Sequence, residues 1–138
     1  MFKIWGLILF FLLKLIAVVP LPFETIDHGT TSGLRLYSNF THIIRSNNLL
    51  RDVWERHSSH SVMPEVNFKD EMVACVFLGK NNSRTITVKE VEQNDNGIVL
   101  KYETSELGDG VTEKSIQPYH IIKMKALDVP VQFEEKSF

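Results

Sequence analysis

Seven consecutive residues, Met72 to Leu78, carry no polar side chain other than the thiol of Cys75. Successive side chains of an extended segment point to opposite faces, so a run that is apolar at every position needs cover on both sides. This predicts a central strand with a layer of structure packed on each face.

The surrounding segments support a sheet. Val66 and Phe68 alternate with Asn67 and Lys69, and Ile86 and Val88 share one parity within Thr85 to Val88. Val91 breaks that parity, which predicts a bulge near Lys89 and Glu90. Asn94-Asp95-Asn96-Gly97 reads as a hairpin turn with Asn-Gly at its centre, because both residues tolerate positive φ. The returning strand then places Ile98, Leu100 and Tyr102 inward. Leu34 to Arg45 supplies one or two strands, Leu107 to Gln117 a long loop, and Tyr119 to Met124 and Val129 to Phe133 two last strands.

One segment has helical rather than alternating spacing. Leu49, Leu50, Val53, Trp54 and His57 fall on one face, opposite Arg51, Asp52, Glu55 and Arg56, and Ser46 stands where a cap belongs. Trp54 is the residue expected to dock this helix on the sheet, since its ring buries a large area. The predicted fold is α+β and mostly β: an antiparallel sheet or sandwich-like domain of about seven strands with one packed amphipathic helix.

The first twenty-odd residues have a different character. Ile4 to Phe23 is almost wholly apolar, preceded by Lys3, interrupted by Lys14, and free of acids until Glu24. A basic start followed by an apolar run is the layout of an export signal. The small residues expected at a cleavage site are reduced to Ala17 and Val19, with Pro20 next. A helix from Ile4 to Val19 would rise about 24 Å at 1.5 Å per residue, against a hydrocarbon core of roughly 30 Å. Cleaved signal peptide and retained anchor, with residues 4–20 in the membrane, both stand. The organisation expected is 1–23 signal or anchor, 24–33 linker and 34–138 a single domain, placed extracytoplasmically (periplasmic, cell-surface or secreted) by the positive-inside rule.

Composition narrows the chemistry. Cys75 is the one cysteine, so the domain is held by its core rather than by disulfides within the chain, and no cysteine near residue 20 can carry a lipid. Without residues 1–23 the net charge is 15 − 2 − 17 = −4, which argues against a nucleic-acid partner. Gly29-Thr30-Thr31-Ser32-Gly33 resembles a serine elbow in composition alone, with no strand-to-helix turn around it. His57 and His60 stand three apart, and with His120 they form the alternative reading, a small zinc-dependent or other hydrolase. The spacing is weak support, because His57 near a helix C-terminus suits the dipole and His60 follows two serines. No phosphate-binding loop or paired cysteines occur, and the expectation is a protein that is not an enzyme and needs no cofactor or metal.

A longer pattern carries a resemblance. It begins with the tryptophan helix Asn48 to His57, followed by Pro64-Glu65-Val66-Asn67-Phe68 and the apolar strand from Val73 to Gly79-Lys80. Ile86-Thr87-Val88 and Val99-Leu100 continue it, and Gln117-Pro118-Tyr119-His120-Ile121-Ile122-Lys123-Met124 and Val131-Gln132-Phe133 close it. Over roughly residues 40–134 this resembles the PrcB C-terminal domain family, accessory subunits of a surface protease complex. Where that family has a Gly-Gly-Tyr-like step, this chain reads Asn82-Ser83-Arg84. The resemblance implies a non-catalytic exported domain that binds or stabilises a protein partner, a protease complex subunit by analogy. Arg84, Tyr119 and His120, which fall near turns, are the partner contacts expected.

Overall fold

The computed structural model describes residues 18–79, 84–106 and 116–138. In chain order the elements are β1 (Val19–Pro20), β2 (Phe23–Gly29), β3 (Phe40–Ile44), α1 (Asn47–His57), β4 (Glu71–Phe77), β5 (Arg84–Asn94), β6 (Gly97–Glu106), β7 (Tyr119–Lys125) and β8 (Val131–Glu135). They form two four-stranded sheets, ordered β1-β5-β6-β8 and β2-β7-β4-β3. All pairings are antiparallel except β6 with β8, which is parallel. The protein is therefore a mostly β, sandwich-like α+β fold with one helix among the described residues.

β4 is an interior strand of its sheet and explains the uninterrupted apolar run. Met72, Ala74, Val76 and Leu78 face the other sheet, meeting Ile86, Val88, Val91, Ile98 and Leu100. Val73, Cys75 and Phe77 face the opposite way, into a second core with Leu50, Trp54, Tyr119 and Ile121. Three layers result: sheet, sheet, helix. Cys75 is buried and its thiol is pushed up to about 12 by burial, so it is a packing group rather than a nucleophile.

α1 forms as its pattern predicts. Ser46 caps it, accepting the Leu49 N–H at 3.3 Å, and Leu50, Trp54 and His57 are the buried residues. Trp54 also donates its indole N–H to Ser61 C=O at 3.2 Å, which ties the following turn to the helix. On β5 the ladder shifts register between Val88 and Glu90, the expected bulge.

The hairpin turn is shifted by one residue from the prediction. Asn94 pairs with Gly97, leaving Asp95-Asn96 as the two turn residues. Gly97 opens the returning strand at φ +136°, and a Cβ there would lie 2.4 Å from Pro130 C=O. Glycine is needed for the close approach of the β7–β8 connection as well as for the backbone angle. Val66 to Phe68 is no strand either: Val66 is buried under the helix, and Asn67 begins a turn that leads into β4.

The N-terminal boundaries change more. Phe23–Gly29, which runs from the last residue of the expected signal or anchor into the expected linker, is a full strand paired along β7, and Val19–Pro20 pairs with Gln93 and Glu92 of β5. Among the described residues the folded domain thus begins by Val19; the segment before Val18, with the expected signal or anchor, lies outside them. Among those residues no helix is long and apolar enough to cross a membrane. The loop predicted over Leu107 to Gln117 lies outside the described residues up to 115.

Candidate functional site

β2 carries a bulge at Ile26, because the register against β7 steps from Thr25↔Ile122 to Asp27↔Ile121. That extra residue changes which way each later side chain points. Thr25 and His28 face the sheet sandwich, while Ile26 and Asp27 face the helix. Two polar centres follow, one on each side of the β2–β7 pair.

On the helix side, His57 sits among the rings of Trp54, Phe77 and Tyr119, with the Tyr119 centroid 4.3 Å away. Its Nε2 meets Asp27 Oδ2 at 2.8 Å, and its Nδ1 meets Ser32 Oγ at 2.7 Å. The Asp27 carboxylate can only accept, so the proton of the neutral ring sits on Nε2 and Nδ1 accepts from the Ser32 hydroxyl, whose oxygen also accepts the Leu34 N–H at 3.1 Å. Asp27 also accepts the His28 N–H at 2.9 Å and a hydrogen bond from Tyr119. Burial, then the Asp27 charge and that hydrogen bond, push the Tyr119 hydroxyl up to about 12. Gly29 makes room for this ring, since a Cβ there would lie 3.0 Å from Tyr119 Oη.

Ser32, His57 and Asp27 are the residue types of a nucleophilic triad, and a cavity of about 310 Å³ adjoins Ser32, lined also by Arg35 and Tyr37. The surroundings decide what the array does. Acyl transfer needs backbone donors aimed at a developing oxyanion. Here Ser32 N–H donates to Gln117 C=O at 3.0 Å and Gly33 N–H to His57 C=O at 2.8 Å, while Leu34 N–H donates to the serine oxygen itself. All three amides beside the hydroxyl are committed inward. The array joins β2, α1 and the loop between β2 and β3. Gly33 completes it: it caps a helix carbonyl and lies so close that a Cβ would stand 2.6 Å from Arg56 C=O.

On the sandwich side, His28 and His120 face each other across β2 and β7, their rings stacked with centroids 4.0 Å apart and planes at 11°. His120 Nδ1 accepts the Val88 N–H at 2.8 Å, so the proton of the neutral ring is on Nε2, which donates to Thr25 Oγ1 at 2.8 Å. His28 Nε2 meets Ile86 C=O at 2.6 Å. Burial, and then the neighbouring His28, hold His120 down at about 4.

These positions reorganise the expected site. Of the three residues anticipated as partner contacts, Arg84 is exposed at the start of β5, whereas Tyr119 and His120 are buried, with polar atoms bonded inside the protein. The histidines of the zinc reading separate: His57 and His120 use both ring nitrogens on protein groups in different centres, and His60 is an exposed turn residue. No group of three or more metal-ligating side chains could hold an ion among the described residues. Sequence reasoning missed Asp27 and His28, and set Ser32 aside as a serine elbow in composition alone. Their one signal was the cluster of polar types between Thr25 and Ser32, which composition alone makes look like a linker.

Comparison with known protein families, with characterised proteins and with solved structures finds no match for the chain.

Proposed function

We propose that this chain is a non-catalytic extracytoplasmic domain that binds or stabilises a protein partner, by resemblance a subunit of a protease complex. The observation that supports the reading best is the inward commitment of both polar centres. Their histidine nitrogens, carboxylate and hydroxyls hold strands, helix and loop together, which is what a rigid binding scaffold requires. The contact surface lies elsewhere. Tyr37 is 98% exposed and lines a cavity of about 250 Å³ together with Arg84, Thr104 and Glu135. An exposed aromatic beside an arginine has the composition of an interface hot spot.

Mild solubilisation of membranes containing the tagged full chain tests the proposal. A defined protein should copurify, and the Tyr37→Ala/Arg84→Ala double variant should retain less than a tenth of it. Failure to recover any partner counts against the whole reading; recovery unaffected by the double variant moves the surface.

The Ser32–His57–Asp27 array supports a second reading, an acyl-transfer hydrolase with Ser32 as nucleophile. A fluorophosphonate probe separates the two. The binding reading expects no adduct on Ser32, because the amides beside it are already bonded; stoichiometric labelling abolished by His57→Gln would establish the hydrolase instead.

A further inference from the structure

The outer edge of β5 is incompletely covered by backbone. β1 pairs with Gln93 and Glu92, and Leu21 N–H adds a bond to Val91 C=O. Beyond the bulge, the next groups on that edge, Val88 N–H and Ile86 C=O, are met by His120 Nδ1 and His28 Nε2, at 2.8 Å and 2.6 Å. Both imidazoles come from the opposite sheet. Two side chains therefore take the place of a pairing strand and join the sheets at this corner. A buried backbone donor left unpaired is costly, so the buried Val88 N–H bond bears directly on whether the corner stays closed, while His28 stands at the exposed rim and its bond to Ile86 C=O is part-buried.

We infer that His28 and His120 form an acid-sensitive latch between the two sheets, which opens the β5 edge when His120 takes up a second proton. The geometry admits only a neutral His120. Nδ1 is an acceptor for Val88 N–H and Nε2 a donor to Thr25, so a proton added at Nδ1 sets two donors against each other. Among the described residues no carboxylate is bonded to the ring to compensate. From β2 it meets Thr25 and the parallel ring of His28, and across β4 it is paired with Val76. From β5 it meets the Val88 backbone, with Ile86 C=O and Thr87 held by His28. Asp27 is turned to the helix side, bonded to His57 and Tyr119. The depressed titration of His120, through burial and His28, agrees with this arrangement.

Once the corner opens, the ring is hydrated and titrates near the ordinary value of about 6.5. Between there and about 4, where the closed ring takes up its proton, each unit of acidification multiplies the open population up to about ten-fold. Hydrogen exchange of the full chain, corrected for the intrinsic pH dependence of exchange, reads this directly. Protection of the Val88 amide should fall about forty-fold from pH 6.5 to 4.5, steepest in the middle of that range, while the Cys75 and Ile122 amides stay protected. His120→Gln, which offers an acceptor and a donor but no titration, should remove the pH dependence and keep protection at pH 7. Val88 protection that is flat with pH, or an acid response that persists in His120→Gln, overturns the latch. Should that variant fail to fold, the ring nitrogen shifts of the wild-type protein decide. A neutral Nε2–H tautomer kept to below pH 5 supports the latch, and a charged His120 at pH 6 with Val88 still protected refutes it.

Discussion

His57 and His120 are two buried histidines with opposite consequences. His57 faces a carboxylate, and its Nε2 donates to Asp27 Oδ2 at 2.8 Å. His120 faces a backbone donor and another imidazole, so acid works against it. The sign for His120 follows from linkage. Its folded value of about 4 lies below the ordinary 6.5, so the unfolded chain binds more protons between those limits, and stability falls as pH drops through that window. Urea denaturation should show a loss of up to about 1.4 kcal/mol per pH unit there from this one residue, absent in His120→Gln. At the other centre, Ser32→Ala removes the donor to His57 Nδ1 and the acceptor of Leu34 N–H together. A buried group left unpaired costs about 1–3 kcal/mol, so the variant should unfold at correspondingly lower urea, with the change confined to stability.

At the scale of elements, the bulge at Ile26 organises both centres. Without it Asp27 would share the face of Thr25, and neither His57 nor Tyr119 would have its carboxylate. α1 is held at both ends by groups of different origin: Ser46 at its start, and Gly33, a loop residue fourteen positions before its first residue, at its end. Ser46→Ala should cost about 1 kcal/mol, as loss of an N-cap does. Gly97→Ala should cost more than about 2 kcal/mol, because its positive φ and the 2.4 Å approach to Pro130 C=O leave a methyl group no room. Thermal melts of the two variants beside wild type check the ranking.

For the molecule as a whole, the position where folding begins matters most. β1 and β2 are each in a sheet, and Leu21 and Phe23 pack on the core between the sheets. A chain starting at Val18 should fold like the full chain. One starting at Glu24, the expected edge of the linker, loses β1 and the Phe23 contact, and should melt at least several degrees lower by circular dichroism. Equal melting of the two would mean that β1 contributes nothing.

The residues by themselves were enough for the elements whose burial repeats regularly. Met72 to Leu78 dictated a strand covered on both faces, the Leu50–Trp54–His57 spacing dictated the helix, and the parity change at Val91 dictated the bulge in β5. Each signal is local: side-chain polarity alone reports which faces are buried. β2 was illegible because its two apolar residues, Phe23 and Ile26, are three apart, which breaks strand alternation through the bulge, and because its remaining side chains are polar. What makes Phe23–Gly29 a strand is β7 alongside it, and what engages half-buried Asp27, the exposed rim residue His28 and buried Ser32 is His57, His120, Tyr119 and the β5 backbone, with Thr25 and His120 95 residues apart in sequence. A polar residue looks the same in a sequence whether water or a buried imidazole satisfies it. Only the tertiary structure decides, because the partner that makes burial tolerable comes from elsewhere in the chain.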